Sequence, residues 1–323
     1  MSIRSHVQPT RRQFASTARW LARWTWLCAA LVVGLPGLAQ GQGSNPATAQ
    51  SAFDGERSYG YLRALCDLGP RYSGSPGMTR QQELLKAHFE RQGARVTRQT
   101  FRVRHPLTGD AVEMANLIVE WHPERRERIL LCAHYDTRPF PDRDRRNPRG
   151  TFIGANDGAS GVAVLMELGS HIAQLQGELG VDFVLFDGEE LVYRETDRYF
   201  LGSEHFATMY ARGDANQPRY RWGILLDMVG DADLQLYQER VSLSYRNVAP
   251  LVRSLWDTAR AEGVREFIPR PRHQVRDDHL PLNQIARIPT CDVIDFAYPH
   301  WHTEQDTPAN YSGQSLGKEG RVM

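Results

Sequence analysis

The chain has 323 residues, 41% hydrophobic and 24% charged, with 27 Gly and 18 Pro, a profile that excludes a disordered, collagen-like or coiled-coil protein. Lys plus Arg number 39 against 38 Asp plus Glu, but Arg4, Arg11, Arg12, Arg19 and Arg23 all crowd into residues 1–39, where no carboxylate stands. The remainder is acidic on balance, which argues against a nucleic-acid partner.

Behind the basic lead runs an apolar stretch from Trp24 to Leu35, then Pro36-Gly37-Leu38-Ala39. A charged region, a short apolar region and a small-residue exit are the parts of a secretory signal. Residues 1–39 are read as that signal, cut ahead of Gln40, and Thr10-Arg11-Arg12-Gln13-Phe14 resembles a twin-arginine export motif. The apolar run is shorter than the roughly 18 residues of a membrane span. An exported, periplasmic or secreted protein is expected, without stable membrane insertion; an uncleaved anchor is the alternative. Residues 40–52, rich in Gly, Ser, Gln, Ala and Asn, read as a flexible leader.

Residues 53–323 read as one domain. Leu84, Leu85, His88 and Phe89 fall at helical spacing within Met78–Gln92, while Ala94–Val103 and Asn116–Trp121 predict strands. Ile129–His134 is a short apolar run bounded by charge, as a buried strand requires. A helix follows over Ala159–Gln174, a buried strand over Val181–Phe186, a helix over Leu201–Ala211 and a buried strand over Gly223–Met228. Val248–Glu262 is amphipathic, and Thr290–Phe296 predicts the last strand. Apolar strands separated by helices predict an α/β fold: a mixed, mostly parallel central sheet flanked by helices.

Cys28 lies in the signal, and Cys66, Cys132 and Cys291 are odd in number and widely spaced. Without a CxxC pair they predict neither a zinc-thiolate site nor a disulfide framework, but small buried apolar residues. A single disulfide among them stays open. The segment Arg138–Arg149 holds five arginines, two aspartates and three prolines. It reads as a solvated surface loop, with a substrate-steering rim as the alternative.

In open α/β sheets functional groups collect at the carboxyl ends of strands, and here each buried strand runs into acid or imidazole. Ile129–Ala133 leads to His134-Tyr135-Asp136, where alternate residues face one way and a carboxylate can fix the tautomer of a ligand histidine. Gly154-Ala155-Asn156-Asp157-Gly158 opens a helix, and Asp157 alone could be its cap. Val181–Phe186 ends in Asp187-Gly188-Glu189-Glu190, adjacent carboxylates that repel unless a cation or proton separates them. Asp227 ends the next strand, and Trp301-His302-Thr303 follows the last. Nitrogen and oxygen donors without thiolate suit zinc.

The ordered set His134-Tyr135-Asp136, Gly154–Asp157, Asp187–Glu190, Leu226-Asp227, Asp277-Asp278-His279 and Trp301-His302-Thr303 resembles the zinc aminopeptidase and glutaminyl cyclase superfamily, from about Ser58 onwards. The resemblance implies Asp157, Glu190 and His302 as zinc ligands and Glu189 as general acid/base. His134 and Asp227 match the second-zinc ligands of the aminopeptidase branch, with Asp136 beside them. Cyclases hold one zinc and aminopeptidases two. Arg276-Asp277-Asp278-His279-Leu280-Pro281 is similar to the cyclase pattern, whose first aspartate, Asp277, assists proton transfer; Trp301 would line the pocket for a glutamine side chain. A packing aromatic is the plain alternative for Trp301. The pocket tryptophan that animal cyclases carry after the paired glutamates has no counterpart: Tyr193-Arg194-Glu195 stand there. The relatives also imply a closing helix from around Ser315. The expectation is a glutaminyl-peptide cyclotransferase acting on peptide or protein amino termini; the alternatives are a di-zinc aminopeptidase and a non-catalytic binding ectodomain. Ser160 lacks the Gly-x-Ser-x-Gly context of a hydrolase nucleophile.

Overall fold

Eight strands form in the computed structural model, which describes residues 53–213 and 217–323. The expected signal at 1–39 and leader at 40–52 lie outside the described residues. Strands β1 (Arg95–Arg104), β2 (Ala111–Trp121), β3 (Glu127–His134), β4 (Gly180–Phe186), β5 (Arg219–Asp227) and β8 (Thr290–Ile294) make one sheet in the order β1-β2-β4-β3-β5-β8. β2 pairs antiparallel with β1 and β4, while β4, β3, β5 and β8 run parallel. Short β6 (Leu236–Gln238) and β7 (Phe267–Pro271) pair apart from it. The chain leaves central β3 for β4 on one side and returns past it to β5 on the other. That places a crevice at the carboxyl ends of these strands.

Side-chain alternation along the parallel strands builds two cores. Leu131, Ala133, Phe183, Leu185, Ile224 and Leu226 face one, with helix α3 (Ser160–Ile172). Leu130, Cys132, Val184, Phe186 and Leu225 face the other, against Phe206 and Ala207 of α4 (Leu201–Ala211). α3 is buried on nearly every side, because α1 (Gly55–Cys66) and α2 (Pro76–Arg91) pack outside it. Its close seat on β5 needs Gly161, where a Cβ would stand 2.2 Å from the Leu226 carbonyl oxygen.

Start signals are chemical. Asp54 caps α1 by accepting the Glu56 and Arg57 N–H groups at 3.0 Å, and Ser75 caps α2 by accepting Met78 N–H at 3.1 Å, with Pro76 next in line. The last strand stops two residues before Phe296. Asp295 turns the chain there by accepting Ala297 N–H at 3.0 Å and Gln235 N–H at 2.8 Å. Apolar periodicity does not announce α1, the β6–β7 pair, α5 (Arg240–Ser244) or the tight turns α7 (His279–Pro281) and Leu282–Ala286. α6 (Ala249–Ala261) falls inside the expected amphipathic stretch, and α8 (Gly313–Val322) supplies a closing helix.

Cys66, Cys132 and Cys291 are free and buried. Buried Asp182 interrupts the apolar run of β4; it pairs with buried Arg128 on β3 and accepts the Tyr220 hydroxyl at 2.7 Å. No helix among the described residues is long and apolar enough to cross a membrane.

Glu319 of α8 is fully buried, and neither of its carboxyl oxygens has a hydrogen-bond partner. Burial pushes its carboxyl up to about 8 from 4.5. The folded protein then holds a proton that the unfolded chain releases, so stability falls as pH rises through that window. Glu319→Gln should remove up to about 4 kcal/mol of this loss. Thermal melts from pH 4.5 to 8 check it: the wild-type Tm should decline more steeply than the variant's, and parallel curves would contradict the assignment.

Candidate metal centre

Five chain segments deliver the site to the carboxyl edge of the parallel strands. His134 ends β3, Asp227 ends β5, Glu189 and Glu190 follow β4, and Asp157 precedes α3. His302 arrives from the loop after β8 in a left-handed conformation, φ 56°, which a non-glycine residue adopts only where its surroundings hold it. All six are at least nine-tenths buried.

Asp157 joins the two imidazoles: its Oδ1 lies 3.2 Å from His134 Nε2 and its Oδ2 lies 3.2 Å from His302 Nε2. Glu190 Oε1 stands 3.5 Å from His302 Nε2, and Asp227 Oδ1 stands 3.2 Å from His134 Nε2. Two overlapping donor groups result, Asp157–Glu190–His302 and His134–Asp157–Asp227. Asp157 Oδ2 and His302 Nε2 are buried without any hydrogen bond. Opposed, unbonded donors at this spacing fit a small cation, because tetrahedral ligands at ~2.0–2.2 Å from zinc are roughly 3.3–3.5 Å apart. The residues present therefore fit the metal that their chemistry suggests.

The surrounding residues hold these donors from behind. Asp136 does not sit at close range behind His134: its carboxylate is 3.7 Å from His134 Nδ1 and instead accepts the Glu189 and Glu190 N–H groups at 3.2 and 2.9 Å. Strand pairing ends at His134, so Asp136 turns toward the loop after β4. Gly158 keeps φ +102° beside it; a Cβ there would lie 2.4 Å from the Asp136 carbonyl oxygen. Asp306 accepts the Asn156 and Asp157 N–H groups at 2.8 and 3.2 Å. Asp187 accepts the Ser73 hydroxyl at 2.7 Å and Ala115 N–H at 3.0 Å, so it braces the loop rather than joining the donors.

Arg138 corrects the reading of Arg138–Arg149 as wholly solvated. It is buried, donates to Glu190 Oε2 at 2.9 Å and forks onto Asp142 at 3.0 and 2.8 Å. Asp142 Oδ1 in turn stands 3.3 Å from His302 Nδ1. Arg138, Asp142 and Asp306 are site-organising residues that sequence reasoning missed. Arg138 was hidden among four other arginines, and Asp306 in an ordinary polar turn.

Electrostatics divide the carboxyls. Burial opposes the charge on Glu190, but His302 and Arg138 hold it well below the usual carboxylate range. Glu189 goes the other way, raised by burial and then by the Glu190 charge. Asp277 is likewise raised by burial, with Asp227 and Asp278 adding to it. Glu189, Asp277, Asp157, Glu190 and His302 line one cavity of about 580 Å³, with half-buried Trp301 on its wall. Trp301 packs 4.9 Å from Phe296 and 4.3 Å from His302, ring to ring, so it both packs and faces the cavity. Asp278 turns away and accepts the Ser203 hydroxyl at 2.5 Å. His279 leaves the cavity too; its ring nitrogens face Glu239 and Asp292 at 3.8 and 3.7 Å.

Among known proteins, the chain is similar to the solved structure of Fimbriiglobus ruber glutaminyl cyclase, with 43% identity and TM-score 0.80 over 84% of this chain and 93% of that one. It also resembles a leucine aminopeptidase precursor from Bacteroides thetaiotaomicron, with 31% identity and TM-score 0.77 over 84% and 95% of the two chains. A glutaminyl-peptide cyclotransferase of Bos taurus is 25% identical over 80% of this chain and 78% of its own. Residues 116–323 match the model of Peptidase family M28, and with those residues covering well over half its length, this chain belongs to that family.

Proposed function

We propose that this chain is a zinc-dependent glutaminyl-peptide cyclotransferase, converting the amino-terminal glutamine of peptides to pyroglutamate with release of ammonia. The observation that carries this reading is the pair of buried, charge-averse carboxyls, Glu189 and Asp277, facing one cavity beside Trp301. A carboxyl whose charged form is disfavoured holds a proton more firmly than an ordinary one, which suits a reaction that only relocates protons. The likeness to the Fimbriiglobus ruber cyclase supports it.

Asp157, Glu190 and His302 are the residues that would hold zinc, which when bound supplies Lewis acidity toward the γ-amide carbonyl. The substrate's α-amine attacks that carbon and the carbon–nitrogen bond to the side-chain amide breaks. Glu189 takes the proton from the amine and returns it to the departing nitrogen, which leaves as ammonia. Asp277 shares the proton between those events. Trp301 packs along the glutamine side chain and narrows the cavity against water, favouring ring closure over hydrolysis. Arg138 keeps Glu190 ionised and aimed. Export through residues 1–39 would place this chemistry outside the cytoplasm.

A second reading rests on His134–Asp157–Asp227, which could take a second ion. With two ions the same Glu189 would serve as base toward a water, giving an aminopeptidase, as the likeness to the Bacteroides thetaiotaomicron precursor suggests.

Incubating the zinc-loaded protein with Gln-peptides and Leu-peptides separates the two. Ammonia without free amino acid is expected; free leucine without ammonia would end the cyclase reading. Glu189→Gln should lower kcat by about 10²–10⁴-fold while leaving zinc content and Tm intact, and near wild-type turnover would remove Glu189 from its role. Chelation should lower Tm and abolish turnover together, both restored by one equivalent of zinc per chain. Two tightly held equivalents, one lost in His134→Ala, would favour the aminopeptidase.

A further inference from the structure

Beyond Arg138, the loop carries charge that the reaction above does not use. Arg143, Arg145 and Arg146 are exposed, and none makes an ion pair within 4.0 Å among the described residues. Arg143 lies over Trp301, its guanidinium carbon 3.9 Å from the ring centroid. The three arginines line a recess of about 660 Å³ together with His300, Trp301 and Glu304. Arg143 and Trp301 also wall the metal cavity, so the two spaces meet at that stacked pair. Another exposed arginine, Arg276, also lines the metal cavity.

The carboxylates of the recess are engaged in holding its shape. Asp144 accepts the Arg146, Asn147 and Glu304 N–H groups at 2.8, 3.0 and 3.1 Å; these bonds, with the Arg146 charge, hold it below the usual carboxylate range. Glu304 accepts the Asn147 side-chain amide at 2.9 Å and Thr151 N–H at 3.1 Å. The guanidinium forks are left facing the recess and solvent. Planar donors of this kind grip carboxylates in pairs of hydrogen bonds.

We propose that this recess receives carboxylate groups on the residues that follow the substrate's amino terminus, giving the enzyme a preference for acidic peptides. The proposal rests on the reading that the metal cavity takes a peptide amino terminus. Past Trp301, the next residues of such a peptide enter the recess beside Arg143, Arg145 and Arg146. The carboxylate comes either from Asp or Glu side chains or from the free carboxyl end of a short peptide.

The test compares kcat/KM of the zinc-loaded protein for amidated Gln-Glu-Glu-Ala, Gln-Ala-Ala-Ala and Gln-Lys-Lys-Ala, for unamidated Gln-Ala-Ala-Ala, and for the matched Leu series. At low salt the acidic peptide should exceed the basic one by roughly ten-fold, shrinking toward parity near ~0.5 M salt. The double variant R145E/R146E should keep wild-type turnover of amidated Gln-Ala-Ala-Ala and invert the preference. A gain from the unamidated peptide alone assigns the recess to the terminal carboxylate; a gain from Glu-Glu assigns it to side chains. Equal values for all four Gln-peptides, or a preference that survives the double variant, overturn the proposal. Acidic preference expressed in leucine release would sink the cyclase reading and leave the recess standing, whereas ammonia release indifferent to charge would do the reverse. If neither series turns over, binding of amidated Gln-Glu-Glu-Ala by tryptophan fluorescence decides: affinity lost in the double variant supports the recess, and equal affinity overturns it.

Discussion

Negative charge gathered at one edge of a parallel sheet is the constraint from which the rest of this structure follows. Asp157, Glu189, Glu190, Asp227 and Asp277 are all buried around one cavity, and among them Glu190 pairs with the buried guanidinium of Arg138. Several carboxylates this close cannot all stay ionised out of water. The structure relieves them in two ways. Burial and neighbouring charge raise the proton affinity of some, Glu189 and Asp277 among them, and others turn toward imidazoles in the manner of ligands sharing a cation. The division between proton holders and cation holders is the division of labour that the proposed chemistry requires.

The loops that carry these groups are fixed by further acids that never meet the cavity's centre. Asp136 holds the two glutamates by their backbone, Asp306 does the same for Asn156 and Asp157, and Asp142 aligns His302 while tied to Arg138. Each is buried or half-covered and spends its oxygens on N–H groups or a guanidinium. Placing a loop by its amides rather than by side-chain packing fixes the direction of the neighbouring donors closely. A left-handed His302 is tolerable only within such a frame.

Much of the fold was legible because the parallel strands are buried on both faces and read as apolar runs between amphipathic helices. β4 was placed in spite of Asp182, whose partners Arg128 and Tyr220 lie on other strands and leave no local trace. α1 was missed because its buried positions, Ser58, Leu62, Leu65 and Cys66, are few and include a polar residue. The acids and imidazoles at the strand ends could be read from residue type and place. The direction of each side chain could not: Asp278 and His279 share a short segment with Asp277 yet point to Ser203, Glu239 and Asp292. Arg138 was invisible for a different reason, since among neighbouring arginines nothing in composition says which one is buried.

The Asp157–Glu190–His302 donors are spread along the chain, Asp157 ahead of α3 and His302 beyond β8. An emerging polypeptide therefore owns no complete coordination sphere until its final strand has docked. Ions cannot template the early collapse; they can only lock a tertiary arrangement already reached, so bound metal acts chiefly by slowing escape from the finished state.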